Sequence, residues 1–335
     1  MKYNPALDGV RAFAVVTVVL QHAEIPAIAG GFVGVDLFFV LSGYLITSIL
    51  AEEAASTGQI AIGSFLWNRA VRLMPPLALL LVTLNILGPL FWPGEPIALI
   101  TLLVAMYLTD YVSAFYGDFS MMLHTWSLAV EEQFYLLWPL AVLLLARFPK
   151  NGKVRALAIA YAAATLWRVA NAWYFPEWSM SAYRLDTRAS GLILGAIVAT
   201  AKILLKGRAA DLLGAASLAI LLILILTLTP QPLPVAFVQP IVELAAAGLI
   251  VSLAAAENSA IHRLFSIRPL VYCGVLSYSV YLWHYPISRA LLQYTADWRA
   301  ILPLMLAASL MIAAMSYELL ERPLKIWRHR KYARP

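Results

Sequence analysis

The chain has 335 residues, 62% of them hydrophobic and 13% charged, with a net charge of +6. Soluble domains carry about 25% charged residues, so this composition excludes a water-soluble globule and indicates a membrane protein. One cysteine, Cys273, excludes an internal disulfide. The sequence has no Walker-type or dinucleotide glycine loop, no HxxxH or CxxC metal spacing and no nucleic-acid module. The positive charge is accounted for by membrane topology.

A crossing helix needs about 20 apolar residues, and such runs recur along the whole chain. The first, 6–23, is interrupted by Asp8, Arg11 and His22 and is followed by no small-residue cleavage site, so it reads as a retained helix and not as a signal peptide. The second, 32–53, has Gly30, Gly31 and Gly34 at or just before its start and Gly43 at its middle, residues that allow helices to approach closely. The stretch 60–74, "IAIGSFLWNRAVRLM", sets Arg69 and Arg72 three apart on one helical face and reads as a cytoplasmic interfacial helix. Spacing alone leaves two roles open for the pair: an anchor on lipid phosphate, or a clamp for a phosphorylated ligand. Further hydrophobic segments fall at 75–92, 97–114, 124–147, 153–174, 183–203, 209–229, 236–256, 270–292 and 300–320.

Orientation follows from Lys and Arg, which stay in cytoplasmic loops. The clusters at 147–155, 202–208, 263–268 and 322–334 put every segment from 124–147 onward in register with a cytoplasmic C-terminus, while "FPEWSM" and "TPQPLPV" on the other side have none. Lys2, Arg69 and Arg72 put the N-terminus inside as well, and the two halves then disagree by one crossing. The stretch 93–123 lacks Lys and Arg, so 97–114 is expected to enter from outside without crossing, as a re-entrant or non-crossing segment. The expected fold is therefore all-α: one integral domain, 1–335, with about ten transmembrane helices, both termini cytoplasmic, and a short basic tail within 321–335.

At about 1.5 Å per residue, His22 lies roughly 24 Å up the first helix, Glu131 about 10 Å down the 124–147 segment and His284 about 21 Å up the 270–292 segment. Asp36, Arg168, Arg184, Asp186 and Arg188 also fall toward the outer half, whereas Arg11 lies near the cytoplasmic side. Each has a structural explanation: a lone histidine packs and hydrogen-bonds, and an arginine pairs or snorkels. Together they need a water-accessible cavity, and intramembrane ionisable groups mark a binding or reaction site. Histidine beside a carboxylate suits general base catalysis and also proton-coupled transport.

Seven strings carry a family resemblance: "LDGVRAFAVVTVVLQH", "GGFVGVDLFFVLSGYLIT", "RAVR", "HTWSLAVEEQFYLLWP", "YRLDTRASGLILGA", "SYSVYLWHYP" and the terminal "ERP". In this order they resemble the membrane-bound acyltransferase-3 family of acyl-CoA-dependent carbohydrate O-acyltransferases over nearly the whole chain. The resemblance implies transfer of an acyl group, usually acetyl, from cytoplasmic acetyl-CoA across the cytoplasmic membrane to a hydroxyl of a carbohydrate or glycolipid such as O-antigen, exopolysaccharide or peptidoglycan. It implies Arg11, Arg69 and Arg72 as acyl-CoA-binding residues, and His22 as general base or transiently acylated nucleophile. Glu131 would orient the imidazole, with Asp36 a second candidate for that role. Arg168, Arg184, Arg188, His284 and Trp126 remain as acceptor-site candidates, and no metal is expected. Some members carry a further extracytoplasmic hydrolase-like domain; this chain resembles the stand-alone type, acting alone or with a separate extracytoplasmic partner protein. The rival readings are a proton-coupled transporter or glycolipid flippase, for which the Arg11 to His22 spacing and the arginine pair are not required, and an inactive structural partner.

Overall fold

The computed structural model describes residues 3–117, 121–175, 177–203, 205–256 and 259–332. Lys2, Pro176 of "FPEWSM" and the final residues of the basic tail, 333–335, lie outside the described residues.

Helix α1 (Pro5–His22) starts where the Asn4 side chain accepts the Ala6 amide at 3.0 Å and Pro5 takes a position whose N–H has no intrahelical partner anyway. A 3₁₀ turn, Pro26–Phe32, reverses the chain into α2 (Val33–Thr57), which Gly58 ends in left-handed backbone at φ 73°. Helix α3 (Ile62–Phe91) runs unbroken through Pro75 and Pro76. The separate interfacial helix expected at 60–74 is therefore the first half of α3. Proline at these positions withholds the donors that the Val71 and Arg72 carbonyls would otherwise receive, and the helix continues through the gap; at the next carbonyl, that of Leu73, the Tyr278 hydroxyl of a neighbouring helix donates at 2.9 Å.

The 97–114 segment divides at Tyr107, whose φ is 53°, into α4 (Ile97–Ala105) and α5 (Thr109–Tyr116). Each reaches about 13 Å, less than half of a hydrocarbon core of about 30 Å. There follow α6 (Trp126–Ala146), α7 (Lys150–Tyr174), the short α8 (Trp178–Ala182), α9 (Leu185–Ala201), α10 (Arg208–Thr227), α11 (Pro232–Ala255), the short α12 (Ala260–Phe265), α13 (Arg268–Leu291) and α14 (Trp298–Ser316). One π turn, Tyr317–Glu321, leads into α15 (Arg322–Tyr332). Pro323 offers no N–H to the Leu319 carbonyl, and the widened turn accommodates that gap. Among the described residues there is no strand.

Six helices are long and apolar enough to cross a membrane: α2 and α6 with their leading turns, α3, α10, α11, and α14 with its continuation. Helices α1, α7, α9 and α13 have 18, 25, 17 and 24 residues but carry the chain's polar groups, which lowers their apolarity. Outward faces present Ile86, Leu90, Leu140, Ile223 and Leu226, while Asp36, Arg168, Arg188, Glu243 and His284 are buried. This inverted pattern is that of a multi-pass membrane protein, whose solvent is lipid.

Two glycine contacts set the central packing. A Cβ at Gly43 of α2 would lie 2.7 Å from the Leu192 carbonyl carbon of α9, and one at Gly274 of α13 would lie 2.5 Å from the Asp8 carbonyl carbon of α1. Backbones approach this closely only without side chains between them. The two contacts bring α1 and α2, which bear Arg11, His22 and Asp36, into the centre of the bundle.

Candidate active site

A cleft of about 230 Å³ runs between α1, α2, α3, α6 and α13. Its wall follows α2 from Val35 to Ile49, a rise of about 21 Å. Arg11, Arg69 and Arg72 line it together with Ser42, Glu131 and Tyr135, and Ser127, Phe38 and Tyr281 line it farther along. The three arginines are differently engaged. Arg11 is paired with Asp8 at 2.5 Å, and Arg69 lies 3.6 Å from Glu132 with its guanidinium 3.3 Å above the Tyr135 ring. Arg72 has no ion pair among the described residues, which leaves a cation available to an anionic ligand.

Glu131 belongs to this cleft and not to His22. Its Oε1 accepts from Ser42 at 2.5 Å, and Ser42 in turn accepts from Tyr135 at 2.9 Å. The expectation that Glu131 orients His22 is thus corrected: on α6 it is turned toward α2 and the arginines. Glu132, to which sequence gave no role, is the carboxylate beside Arg69.

The histidine instead meets histidine. His22 Nδ1 lies 2.9 Å from His284 Nε2, and the Ser288 hydroxyl donates to the His22 carbonyl at 2.5 Å, tying the end of α1 to α13. His284 Nδ1 faces the Tyr281 and Val280 carbonyls at 2.7 and 3.2 Å. His124 is buried beside them, stacked on Tyr285 at 4.9 Å, with Nε2 directed at the Leu282 carbonyl at 3.2 Å. His22 is partly exposed, whereas His124 and His284 are buried. None of the three lines the cleft. Tyr281 stands between: its hydroxyl is 2.7 Å from Ser127 Oγ and donates to the His124 carbonyl at 2.8 Å, while its ring lies 5.3 Å from that of His284.

The remaining candidates form a polar layer of their own. Asp36 accepts from Arg188 at 2.7 Å and from Gln239, so it too is not a partner of His22. Arg168 lies 3.0 Å from Glu243, and Ser190 bridges the pair at 2.6 and 2.5 Å. Arg184 is held by Asp186, which also accepts from Trp167 at 2.7 Å. Arg168, Arg184 and Arg188 are therefore committed to carboxylates and do not present free cations to an acceptor. Trp126 packs between Phe39 and Tyr183, with the Arg188 guanidinium 5.3 Å from its ring. His284, expected among acceptor contacts, is the neighbour of His22.

A family model described as an acyltransferase domain matches residues 4–317. The chain belongs to this acyltransferase family. It is 33% identical over 356 residues to the peptidoglycan O-acetyltransferase OatA of Listeria monocytogenes, covering 97% of this chain and 56% of that protein. It is 31% identical over 352 residues to the O-acetyltransferase OatA of Staphylococcus aureus, covering 97% of this chain and 57% of that protein. The chain thus spans little more than half the length of these relatives. No solved structure matches it.

In this member of the family the arrangement offers an open arginine-lined cleft, a polar wall and a histidine pair beyond Tyr281. Sequence reasoning missed His124 and Tyr281 as members of the site. The signal was available: in the expected orientation His22, His124 and His284 all fall in the outer half of a candidate span, and Tyr281 lies one helical turn before His284.

Proposed function

We propose that the protein is an integral-membrane O-acyltransferase that moves an acetyl group from cytoplasmic acetyl-CoA to a hydroxyl of an extracytoplasmic carbohydrate. The observation that carries this reading is the order of groups along one bundle: an arginine-lined cleft at the level of Arg11 and a histidine pair at His22, eleven residues farther along the same helix, or about 16 Å. Arg72 and Arg69 hold the phosphates, the pantetheine arm lies along α2, and the thioester reaches past Tyr281 toward His22. His22 then removes the acceptor's hydroxyl proton or is itself acylated in transit. Peptidoglycan is the first acceptor to test, since the Listeria relative is named for it; O-antigen, exopolysaccharide and glycolipids share the same hydroxyl chemistry.

This function needs a cleft open to the cytoplasm and a histidine pair near the opposite face. We accordingly read α1, α7, α9 and α13 as crossing along with the six apolar helices, which gives ten crossings with both termini cytoplasmic in the cytoplasmic membrane. Helices α4 and α5 enter without crossing. The whole is a single integral domain, and a separate extracytoplasmic protein is a further candidate partner. Proteoliposomes supplied with labelled acetyl-CoA and soluble peptidoglycan fragments test the reading: label is expected on glycan hydroxyls, and His22→Ala is expected to abolish it. Full transfer by folded His22→Ala would refute the role of His22, and failure of the intact protein with every carbohydrate acceptor class would refute the function.

A further inference from the structure

Backbone carbonyls only accept hydrogen bonds, so the nitrogen that faces two of them must carry a proton. His284 Nδ1, at 2.7 Å from the Tyr281 carbonyl and 3.2 Å from that of Val280, is therefore N–H. In neutral imidazole the other nitrogen then holds a lone pair, so His284 Nε2 is an acceptor. His22 Nδ1, 2.9 Å away, must be its donor. The proton on His22 is thereby confined to Nδ1, and the lone pair falls on Nε2. Among the described residues that nitrogen has no hydrogen-bond partner, and His22 is the one partly exposed member of the trio.

We propose that His284 is the positioning residue of His22: a neutral histidine that does here what a carboxylate does in other catalytic pairs, fixing the Nδ1–H tautomer and presenting Nε2 to the substrate. The proposal rests on the acyl-transfer reading and deepens it by naming the reacting atom. The acceptor hydroxyl gives its proton to His22 Nε2 as its oxygen attacks the thioester carbonyl. The new C–O bond forms, the C–S bond breaks, and the departing thiolate takes the proton from Nε2 to leave as CoA thiol. While Nε2 holds that proton, the Nδ1–H of His22 still donates to His284 Nε2, so the ring does not turn between the two transfers. Position 284 suits this role because two consecutive carbonyls of its own helix hold its tautomer without any charged group. A carboxylate there would need a buried counter-cation; none of the seven ion pairs among the described residues includes His22, His124 or His284.

The tautomer can be read directly. In the intact protein labelled with ¹⁵N-histidine, with the His22 signals identified by their loss in His22→Gln, the expected pattern is a protonated Nδ1 and an unprotonated Nε2. This measurement needs no activity, so it separates failure of the proposal from failure of the acyl-transfer reading. In His284→Leu the acceptor is gone: His22 should show mixed tautomers, and kcat should fall by about 10²–10⁴-fold, the range for general-base loss and for a mis-set tautomer, with KM for acetyl-CoA within about threefold. His284→Gln, whose amide oxygen can take the place of Nε2 as acceptor, should recover at least about tenfold of that loss. A purely structural role would give no such recovery and would leave the His22 tautomer unchanged. Finding Nε2–H on His22 in the unaltered protein, or unchanged kcat in His284→Leu, would overturn the proposal.

Discussion

Gly274→Ala tests whether the spacing of two helices sets the chemistry. The added Cβ would lie 2.5 Å from the Asp8 carbonyl carbon and 3.0 Å from its Cα, whereas non-bonded carbons rest about 3.5–4.0 Å apart. Both neighbours are backbone, which no side-chain rotation can clear, so α1 and α13 must part by about 1 Å. His22 and His284 stand on these same helices, 2.9 Å apart; a further 1 Å takes the pair to about 3.9 Å, beyond hydrogen-bonding distance. A 1 Å misplacement costs about 10²-fold in rate, and overpacking a tight contact costs about 1–3 kcal/mol of stability. The expected outcome is thus a kcat about 100-fold lower at an unchanged KM for acetyl-CoA, with a modest fall in Tm. Initial rates in proteoliposomes with peptidoglycan fragments measure the first, and thermal unfolding in detergent the second. Gly63→Ala is the control, because a Cβ at that position of α3 meets nothing within 4 Å. Wild-type kcat in Gly274→Ala, or an equal loss in Gly63→Ala, would refute the reasoning.

Arg72 has no ion pair to lose among the described residues, so Arg72→Gln should leave Tm unchanged. Its KM for acetyl-CoA should rise about 10- to 100-fold, the equivalent of one charged hydrogen bond of about 1.5–3 kcal/mol; steady-state kinetics decides. Arg168→Met strands the Glu243 carboxylate in the core and should cost about 3–5 kcal/mol, whereas the double variant Arg168→Met/Glu243→Met, which removes both charges, should regain most of it; equal Tm values for the single and double variants would contradict this. In a Cys273→Ser background, a membrane-impermeant maleimide applied to whole cells should label Gln231→Cys and spare Lys150→Cys; the reverse pattern would invert the proposed orientation.

The residues that pair across helices show where reading the sequence stops. Helical period places Glu131 and Glu132 about 100° apart, which is right, yet period cannot say that Glu131 turns to Ser42 while Glu132 turns to Arg69. The depth argument put His22, Asp36, Arg188 and His284 in one outer zone, but depth is one coordinate of three. Rotation and tilt then divide that zone into a histidine pair and an Asp36–Arg188 pair. The paired arginines mark the cytoplasmic level of 60–74, but a charged turn does not end a helix, and α3 carries the segment on through Pro75 and Pro76 into the span that follows.

Composition and the length of the apolar runs determined that this is a helical membrane protein, because runs of about 20 apolar residues cross lipid with every backbone group satisfied only as helices. The ordered motifs determined the family, and with it the roster of arginines, carboxylates and histidines. Tertiary structure alone decided the partners. Side-chain pairing across helices depends on rotation and register, and those are set where backbones touch, at contacts such as Gly43 on Leu192 and Gly274 on Asp8. A glycine declares in sequence that something comes close, but not what.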